Sequence, residues 1–388
     1  MTNTPRRLTL FLNLGHALDH LLMLIFPTVV LAMSAELGRG YAELLPLAVG
    51  GFICFGAFSI PAGWLADRWS RIGMMRVFFF GIGTAAILTG LASGPTQVAA
   101  GLTLIGVFGA IYHPVGITIL VSQHANVGRA LGVNGVWGNS GVAFSALIAG
   151  ALAEFVGWRA AFIVPGAIAI AAGFAFLRVP APSTTAAPRK SEAHGVSRGD
   201  LARVFVILTI TTITGGIIFN ATTIAMPKVF DEKLSALTQT TFGIGALVCG
   251  VYLIAAMAQL CVGWWIDRHS LKSVFVPVTA LQVPLLWLAG STENYTMLAV
   301  AVAMMFFVFG QIPINDTMVA RYTAEKWRSR AYAVRYVVSF GASALAVPLV
   351  AGVYKLSGDF SLLYSVLAAL ALATLGAAVV FPRARIVD

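Results

Sequence analysis

The sequence predicts an all-α membrane protein of twelve transmembrane helices, arranged as two pseudo-symmetric halves of six. Three observations carry this prediction. The 388 residues are 59% apolar and only 10% charged, with a mean hydropathy of +0.87, whereas a soluble domain wets its surface with about 25% charged residues. The apolar residues gather into twelve stretches, and the two halves of the chain repeat one another at an offset of about 200 residues. Such a composition excludes a soluble enzyme, a disordered chain and a disulfide scaffold.

A hydrocarbon core about 30 Å thick is crossed by roughly 20 apolar helical residues. Spans 1 to 6 are read at 8–34, 44–66, 74–93, 97–122, 130–154 and 159–178; spans 7 to 12 at 202–227, 242–266, 273–290, 295–320, 331–354 and 361–381. The segment 179–201 is rich in Pro, Ser, Thr and charge and reads as a cytoplasmic linker between a half at 1–178 and a half at 202–388. Arg6 and Arg7 precede the first span, but His16, Asp19 and His20 interrupt the run a cleaved signal would need, so a retained helix is expected. Cys54, Cys249 and Cys261 all lie in apolar runs without metal or redox spacing, and read as small core residues.

The net charge of +10 would point to nucleic acid in a soluble protein. An even number of spans puts both termini on one side. That side, with its loops, the linker and span ends such as those that carry Arg76 and Arg203, takes 19 of the 25 basic residues. The opposite loops take Arg39, Arg159, Lys228, Lys233 and Lys355, and Arg335 falls inside span 11. Basic residues concentrate on the cytoplasmic side of membrane proteins. Both termini are therefore expected in the cytoplasm, in a plasma membrane of the bacterial inner-membrane type. The excess charge is an orientation signal, and no nucleic-acid partner is expected.

The repeat is carried by several pairs in register. Gly63-Trp-Leu-Ala-Asp67-Arg68 closes span 2 and Gly263-Trp-Trp-Ile-Asp267-Arg268 closes span 8; Phe26-Pro27 answers Met226-Pro227; Gly109 answers Gly310, and Arg129-Ala130 answers Arg330-Ala331. Parallel six-helix repeats are a transporter architecture, with substrate bound between them near the bilayer midplane. On these residues the whole chain resembles the major facilitator superfamily. The family pattern after span 2 is Gly, three residues, Asp-Arg, one residue, Gly, then two basic residues. Gly63, Asp67, Arg68 and Arg71 match it, with Ser70 and Ile72 departing; Gly263, Asp267, Arg268 and Lys272 match in the second copy, with Ser270 and Leu271 departing. The resemblance implies the superfamily fold, alternating access and a conformational latch at these loops, with Arg129, Arg330 and Asp316 as further latch candidates. An Asp at a helix end can face a helix N-terminus or a neighbouring Arg; the alternative is that Asp-Arg only marks a wet loop.

Two shorter stretches, Gly15 to Pro27 and Gly109 to Gly116, are similar to the fosmidomycin-resistance branch of that superfamily, through His16, Asp19, Tyr112, His113 and Pro114. The branch implies drug efflux. The Gly-Pro pattern of antiporters in span 5 is incomplete: Gly132, Gly135, Gly138 and Gly141 are present without the Pro, and still permit close helix contact.

Ionisable groups within spans are functional candidates. Asn13, His16, Asp19 and His20 recur at spacings of three and four, so much of the set shares one helical face. Asp19, His16 and His20 are the candidates for proton coupling, because carboxylate and imidazole exchange protons near neutral pH; the alternative is that the histidines only hold helices together. Pro114 frees a carbonyl beside Tyr112 and His113, a break suited to a cavity wall. Span 10 answers with Gln311, Pro313, Asn315 and Asp316. Arg335 either pairs with Asp316 or forks onto an anionic substrate. The candidate substrate-binding residues are His113, Tyr112, Arg335, Asn13, Asn139, Trp137, Asn220, Gln311, Asn315 and Tyr336, with Tyr252, Gln259 and Tyr332 as weaker ones.

There is no phosphate-cradling GxxxxGK[ST], no Ser/His/Asp grouping and no zinc-ligand spacing. The chain reads as a transporter and not an enzyme, with no cofactor and no resident metal. Its expected partners are a small-molecule substrate, protons and the lipid bilayer, and it is expected to be a monomer. The favoured activity is proton-coupled efflux of a small polar or amphipathic compound. Uptake of a carboxylate or phosphonate with protons, transport of a transition metal or chelate held by His16, Asp19, His20 and His113, and a membrane sensor remain as alternatives.

Overall fold

Runs of Leu, Ala, Ile, Val and Phe with few charges can satisfy their backbone in lipid only as helices; the computed structural model describes residues 4–124, 127–180, 198–323 and 325–382, and their regular structure is all helical, joined by short turns. The order is α1 (Thr4–Leu24), α2 (Phe26–Leu37), α3 (Tyr41–Leu44), a 3-10 turn (Leu45–Ala48), α4 (Val49–Ala57), α5 (Ser59–Arg68), α6 (Arg71–Gly90), α7 (Pro95–Gly109), a π turn (Tyr112–Gly116), α8 (Ile117–Gln123), α9 (Val127–Phe155) and α10 (Trp158–Phe176). There follow α11 (Arg198–Lys233), α12 (Thr241–Ile266), α13 (Leu271–Ser291), α14 (Asn294–Tyr322), α15 (Glu325–Ser357) and α16 (Ser361–Val379). Among the described residues ten helical stretches are long and apolar enough to cross a membrane, and the bent pair Tyr41–Ala57 and Ser59–Arg68 adds an eleventh. Helix α15, 33 residues long with its apolar part at Gly341–Ser357, completes the twelve.

Three spans depart from simple rods in ways their hydropathy does not reveal. Span 1 breaks at Ile25, where Pro27 sits in the first turn of α2. Span 2 bends by 40° between Ala57 and Ser59. Span 4 tightens and then widens around Pro114, which cannot donate to the Ala110 carbonyl, and Tyr112–Gly116 forms a π turn. Their counterparts in the second repeat are continuous: α11 runs through Pro227 and α14 through Pro313.

The chain divides into two compact units, Met1–Pro188 with Thr238–Gly250, and Arg189–Leu237 with Val251–Asp388. The start of α12 belongs with the first because Glu154 accepts the Thr241 N–H at 2.9 Å and Phe155 meets the Phe242 ring at 5.6 Å. Inside the first unit α6 packs on α10 and α7, and α1 on α9; inside the second α13 packs on α16 and α14, and α11 on α15. Spans 3, 6 and 4, and spans 1 and 5, thus pair as spans 9, 12 and 10, and spans 7 and 11 do, which is the sequence repeat expressed as packing. Phe78, Phe79, Phe162 and Phe176 are fully buried in the first unit. Phe275, Val262, Ile314, Met318 and Phe381 lie in one core of the second. Outward faces expose Leu88, Ile168, Phe174, Met257 and Trp287, an apolar surface that lipid covers.

The cysteine expectation is corrected at one position. Cys249 is buried and Cys54 half-buried, but Cys261 is exposed beside Leu260 on α12, so it is not a core residue.

Candidate functional site

Helix α1 can approach α9 closely because two glycines of α9 face it. A Cβ at Gly141 would stand 2.2 Å from the Ala17 carbonyl, and one at Gly138 would stand 2.6 Å from the His16 ring. Gly132 and Gly135 face open space and take no part in this contact. The π turn of span 4 brings Tyr112 and His113 to the same place.

A network of polar groups results, almost closed to water. Asn134 of α9 donates from Nδ2 to Asn13 Oδ1 at 2.9 Å and to the Tyr112 hydroxyl at 2.8 Å; that hydroxyl in turn donates to the Leu12 carbonyl at 2.8 Å. The His16 ring stacks on Tyr112, centroids 4.8 Å apart and planes at 16°. His16 Nδ1 lies 2.8 Å from the Asn134 carbonyl. A carbonyl only accepts, so His16 carries its proton on Nδ1 and turns Nε2 toward His20, whose Nε2 is 3.2 Å away. His113 meets the rings of His16, His20 and Phe55 edge-on at 5.2, 5.4 and 5.9 Å.

Asp19 is fully buried, 0% exposed. Its Oδ2 lies 3.5 Å from His113 Nε2, and neither oxygen has a hydrogen-bond partner among the described residues. Oδ1 rests against Gly109, where a Cβ would come within 2.9 Å. The carboxyl is therefore held by close packing next to an imidazole, a pair that differs between its neutral and charged forms only in the position of one proton.

The second unit holds a separate polar cluster. Gln282 donates to the Phe307 carbonyl at 2.9 Å and to Gln311 Oε1 at 3.1 Å, while Thr211 donates to Asn315 Oδ1 at 3.1 Å. Gly215 makes room for the Gln311 amide, since a Cβ there would lie 2.9 Å from it. Arg335, 12% exposed, donates to Asp316, 43% exposed. Of the two roles open to Arg335 from sequence, this geometry is the ion pair. Asn220 gives its amide to Gly216 of its own helix at 2.8 Å. Tyr252 donates to the Thr223 carbonyl at 3.1 Å. Trp137 and Asn139 are half-buried on either side of Gly138, roughly 100° around the helix from the face that meets His16. The side chains of Tyr332, Tyr336 and Arg330 lie outside the described residues.

At the repeated loops, Asp67 accepts from Arg71 one turn on, Nη2 at 2.8 Å and Nε at 3.2 Å, both groups being exposed. Arg68 covers the Trp64 ring at 4.5 Å and Arg268 covers Trp264 at 4.0 Å, the same stack in both copies. Gly63 packs against Pro114, where a Cβ would lie 3.3 Å away, whereas Gly263 faces open space. Asp267 and Arg129 are exposed. The two serines that depart from the family pattern have a physical role: Ser70 caps α6 by accepting the Gly73 N–H at 3.0 Å, and Ser270 caps α13 through Ser273 at 3.2 Å.

Sequence reasoning passed over Asn134, Phe55, Gln282, Thr211 and the individual role of Gly138. For Asn134 a signal existed, because the repeat aligns it with Arg335; both sit on the fifth span of a repeat and reach toward the fourth.

Twelve membrane-spanning helices in repeated packing, with buried polar clusters built from facing spans, define a membrane transport protein. The chain belongs to the Major Facilitator Superfamily, whose family model matches residues 12–254 and 235–387. It is similar to the puromycin resistance protein pur8 of Streptomyces alboniger, 30% identical over 123 residues, or 31% of this chain and 24% of that one. It is also similar to the quinolone resistance protein NorB of Staphylococcus aureus, 28% identical over 169 residues, or 42% and 34% of the two chains. The matches thus span between a quarter and about a third of those relatives. A bacterial homologue of the human lysosomal transporter Spinster, in an inward-facing and unoccupied conformation, shares the fold with a TM-score of 0.72 at 13% identity, over 98% of this chain and 95% of that one. Its occupied form gives 0.73 at 14%.

Proposed function

We propose that this transporter exports a small polar or amphipathic compound in exchange for protons, and that Asp19 carries the proton with His113, His16 and His20 around it. The observation that carries the reading is the fully buried Asp19 carboxyl, without a hydrogen-bond partner among the described residues and 3.5 Å from His113 Nε2. Such a group is held where protonation changes its interaction with a neighbour and very little else. The polar residues of the second repeat, Gln311, Asn315 and Gln282, offer hydrogen bonds to substrate, and Asn13, Tyr112, Trp137, Asn139, Asn220 and Tyr336 are the further wall residues in this reading. Arg335 is engaged by Asp316, which favours a structural or gating ion pair over an anchor for an anion.

Export is favoured by the resistance proteins among its relatives and by the resemblance of spans 1 and 4 to the fosmidomycin-resistance branch. The basic bias of the even loops and linker supports cytoplasmic termini in an inner membrane, with the protein working as a monomer. Two six-helix halves, 1–178 and 202–388, alternate access to the substrate site, and the loops at Gly63, Asp67, Arg68, Arg71, Arg129, Asp267, Arg268 and Arg330 latch one state. Proteoliposomes with an imposed pH gradient test this, with puromycin and a fluorescent quinolone as probes. Probe flux against the proton gradient, abolished in Asp19→Asn, is expected; flux that follows the gradient unchanged in Asp19→Asn overturns the assignment.

A further inference from the structure

The three histidines of the first unit have a property that proton transfer does not require. One ring nitrogen from each of His16, His20 and His113 lies within 4.8 Å of the other two. His16 and His20 are four residues apart on one helix, the spacing that puts two imidazoles on one face for a shared metal. Their Nε2 atoms are 3.2 Å apart, close to the roughly 3.3–3.4 Å that tetrahedral ligands keep when each nitrogen is about 2.0–2.1 Å from zinc.

Two further features belong to metal sites. The first is orientation from outside: His16 gives its Nδ1 proton to the Asn134 carbonyl at 2.8 Å, which leaves the Nε2 lone pair aimed into the cluster. Metal-ligating histidines are commonly fixed in this way. The second is charge. Asp19, fully buried and without a hydrogen-bond partner among the described residues, lies 3.5 Å from His113 Nε2. A nearby carboxylate favours a divalent ion among three neutral imidazoles, as fourth ligand or as balancing charge.

We infer that His16, His20 and His113, with Asp19, form a binding site for a single divalent transition-metal ion of the zinc class. Imidazole donors select Zn2+, Ni2+ or Cu2+ over Mg2+ and Ca2+, which take oxygen ligands. The ion takes the place of the proton shared between His16 and His20, and small rotations of His113 and His20 close the remaining distance. The ion and a proton on Asp19 are alternative occupants of one cluster and exclude one another; metal binding is read by calorimetry and proton coupling by flux, so either can fail without the other.

The test uses the purified full chain in detergent, with Zn2+ followed by titration calorimetry and Co2+ by its visible absorption. Saturable one-to-one binding is expected, with intense Co2+ bands of a tetrahedral nitrogen-rich site. His20→Ala and His113→Ala should each weaken binding by more than the roughly 10–100-fold that loss of a group merely orienting a ligand costs, while His269→Ala leaves it unchanged. His20→Gln, which keeps the polarity of the site, and a matched elution profile separate ligand loss from misfolding. Binding that survives unchanged in folded His20→Ala and His113→Ala, or that His269→Ala abolishes, overturns the inference.

Discussion

Replacing Asn134 by alanine removes one amide that donates twice, to Asn13 at 2.9 Å and to the Tyr112 hydroxyl at 2.8 Å, from a position only 1% exposed. Side-chain hydrogen bonds between membrane helices contribute about 0.6 kcal/mol on average and up to ~1.7. Loss of both bonds, with Asn13 Oδ1 deprived of this donor, therefore costs about 1–3 kcal/mol. Asn13→Ala breaks only one of the two and should cost about 0.6–1.7 kcal/mol. The double variant then loses that shared bond once, so the cycle closes with a coupling of the same size. The assay is reversible unfolding in mixed micelles, read by helical circular dichroism, for wild type, both single variants and the double. Effects that add within ~0.3 kcal/mol would show that the two amides do not interact, and would refute the network that orients span 1 against spans 4 and 5.

Four other outcomes follow from the same geometry. Gly138→Ala forces a methyl into the His16 ring and should destabilise by about 1–3 kcal/mol, whereas Gly135→Ala, in open space one turn earlier, should be neutral or stabilise by up to ~1 kcal/mol; the same unfolding assay compares them. Asp316→Ala leaves the mostly buried Arg335 without its carboxylate and should lower both stability and transport, and the swap Asp316→Arg with Arg335→Asp should restore part of each. Arg159 and Trp158 both donate to Glu36, and the Arg159 hydrogen bond holds its carboxyl below the ordinary range. The folded form therefore binds protons less readily than the unfolded chain. The contribution is present above the ordinary carboxylate pKa and is lost as pH falls through the lower folded value, so a difference between wild type and Glu36→Gln of at most about 1 kcal/mol near neutrality should vanish in acid. Pro114→Ala restores a donor for the Ala110 carbonyl, and should straighten span 4 and slow transport of the puromycin probe.

What hydropathy could report, it reported. Twelve apolar stretches, the offset near 200 residues and the two Trp-Asp-Arg loops are local patterns, and local patterns survive in one dimension. The cluster of His16, Asp19 and His20 was legible because charge in an apolar run is conspicuous. Gln282 and Thr211 were not, and Asn134 was marked only by its alignment with Arg335, because a neutral amide or hydroxyl in a membrane helix looks the same whether it faces a partner or folds back on its own carbonyl, as Asn220 does. The importance of Gly138 over Gly135 depends on which side of α9 meets α1, a tertiary fact. The bend after Ala57 has no Pro at the break itself, and the exposure of Cys261 is set by which face of α12 its packing neighbours leave uncovered. Ser70 and Ser270 looked like departures from a motif until their hydroxyls were seen to cap the next helix.

The claim at the centre of this account is that Asp19 holds a proton that substrate binding expels. It is tested most directly by recording proton release with a pH-sensitive dye in weakly buffered detergent as puromycin or a quinolone is added to the purified protein. Release approaching one proton per transporter is expected from the wild type and none from Asp19→Asn, with the probe still binding to that variant. Equal proton release from wild type and Asp19→Asn would contradict it.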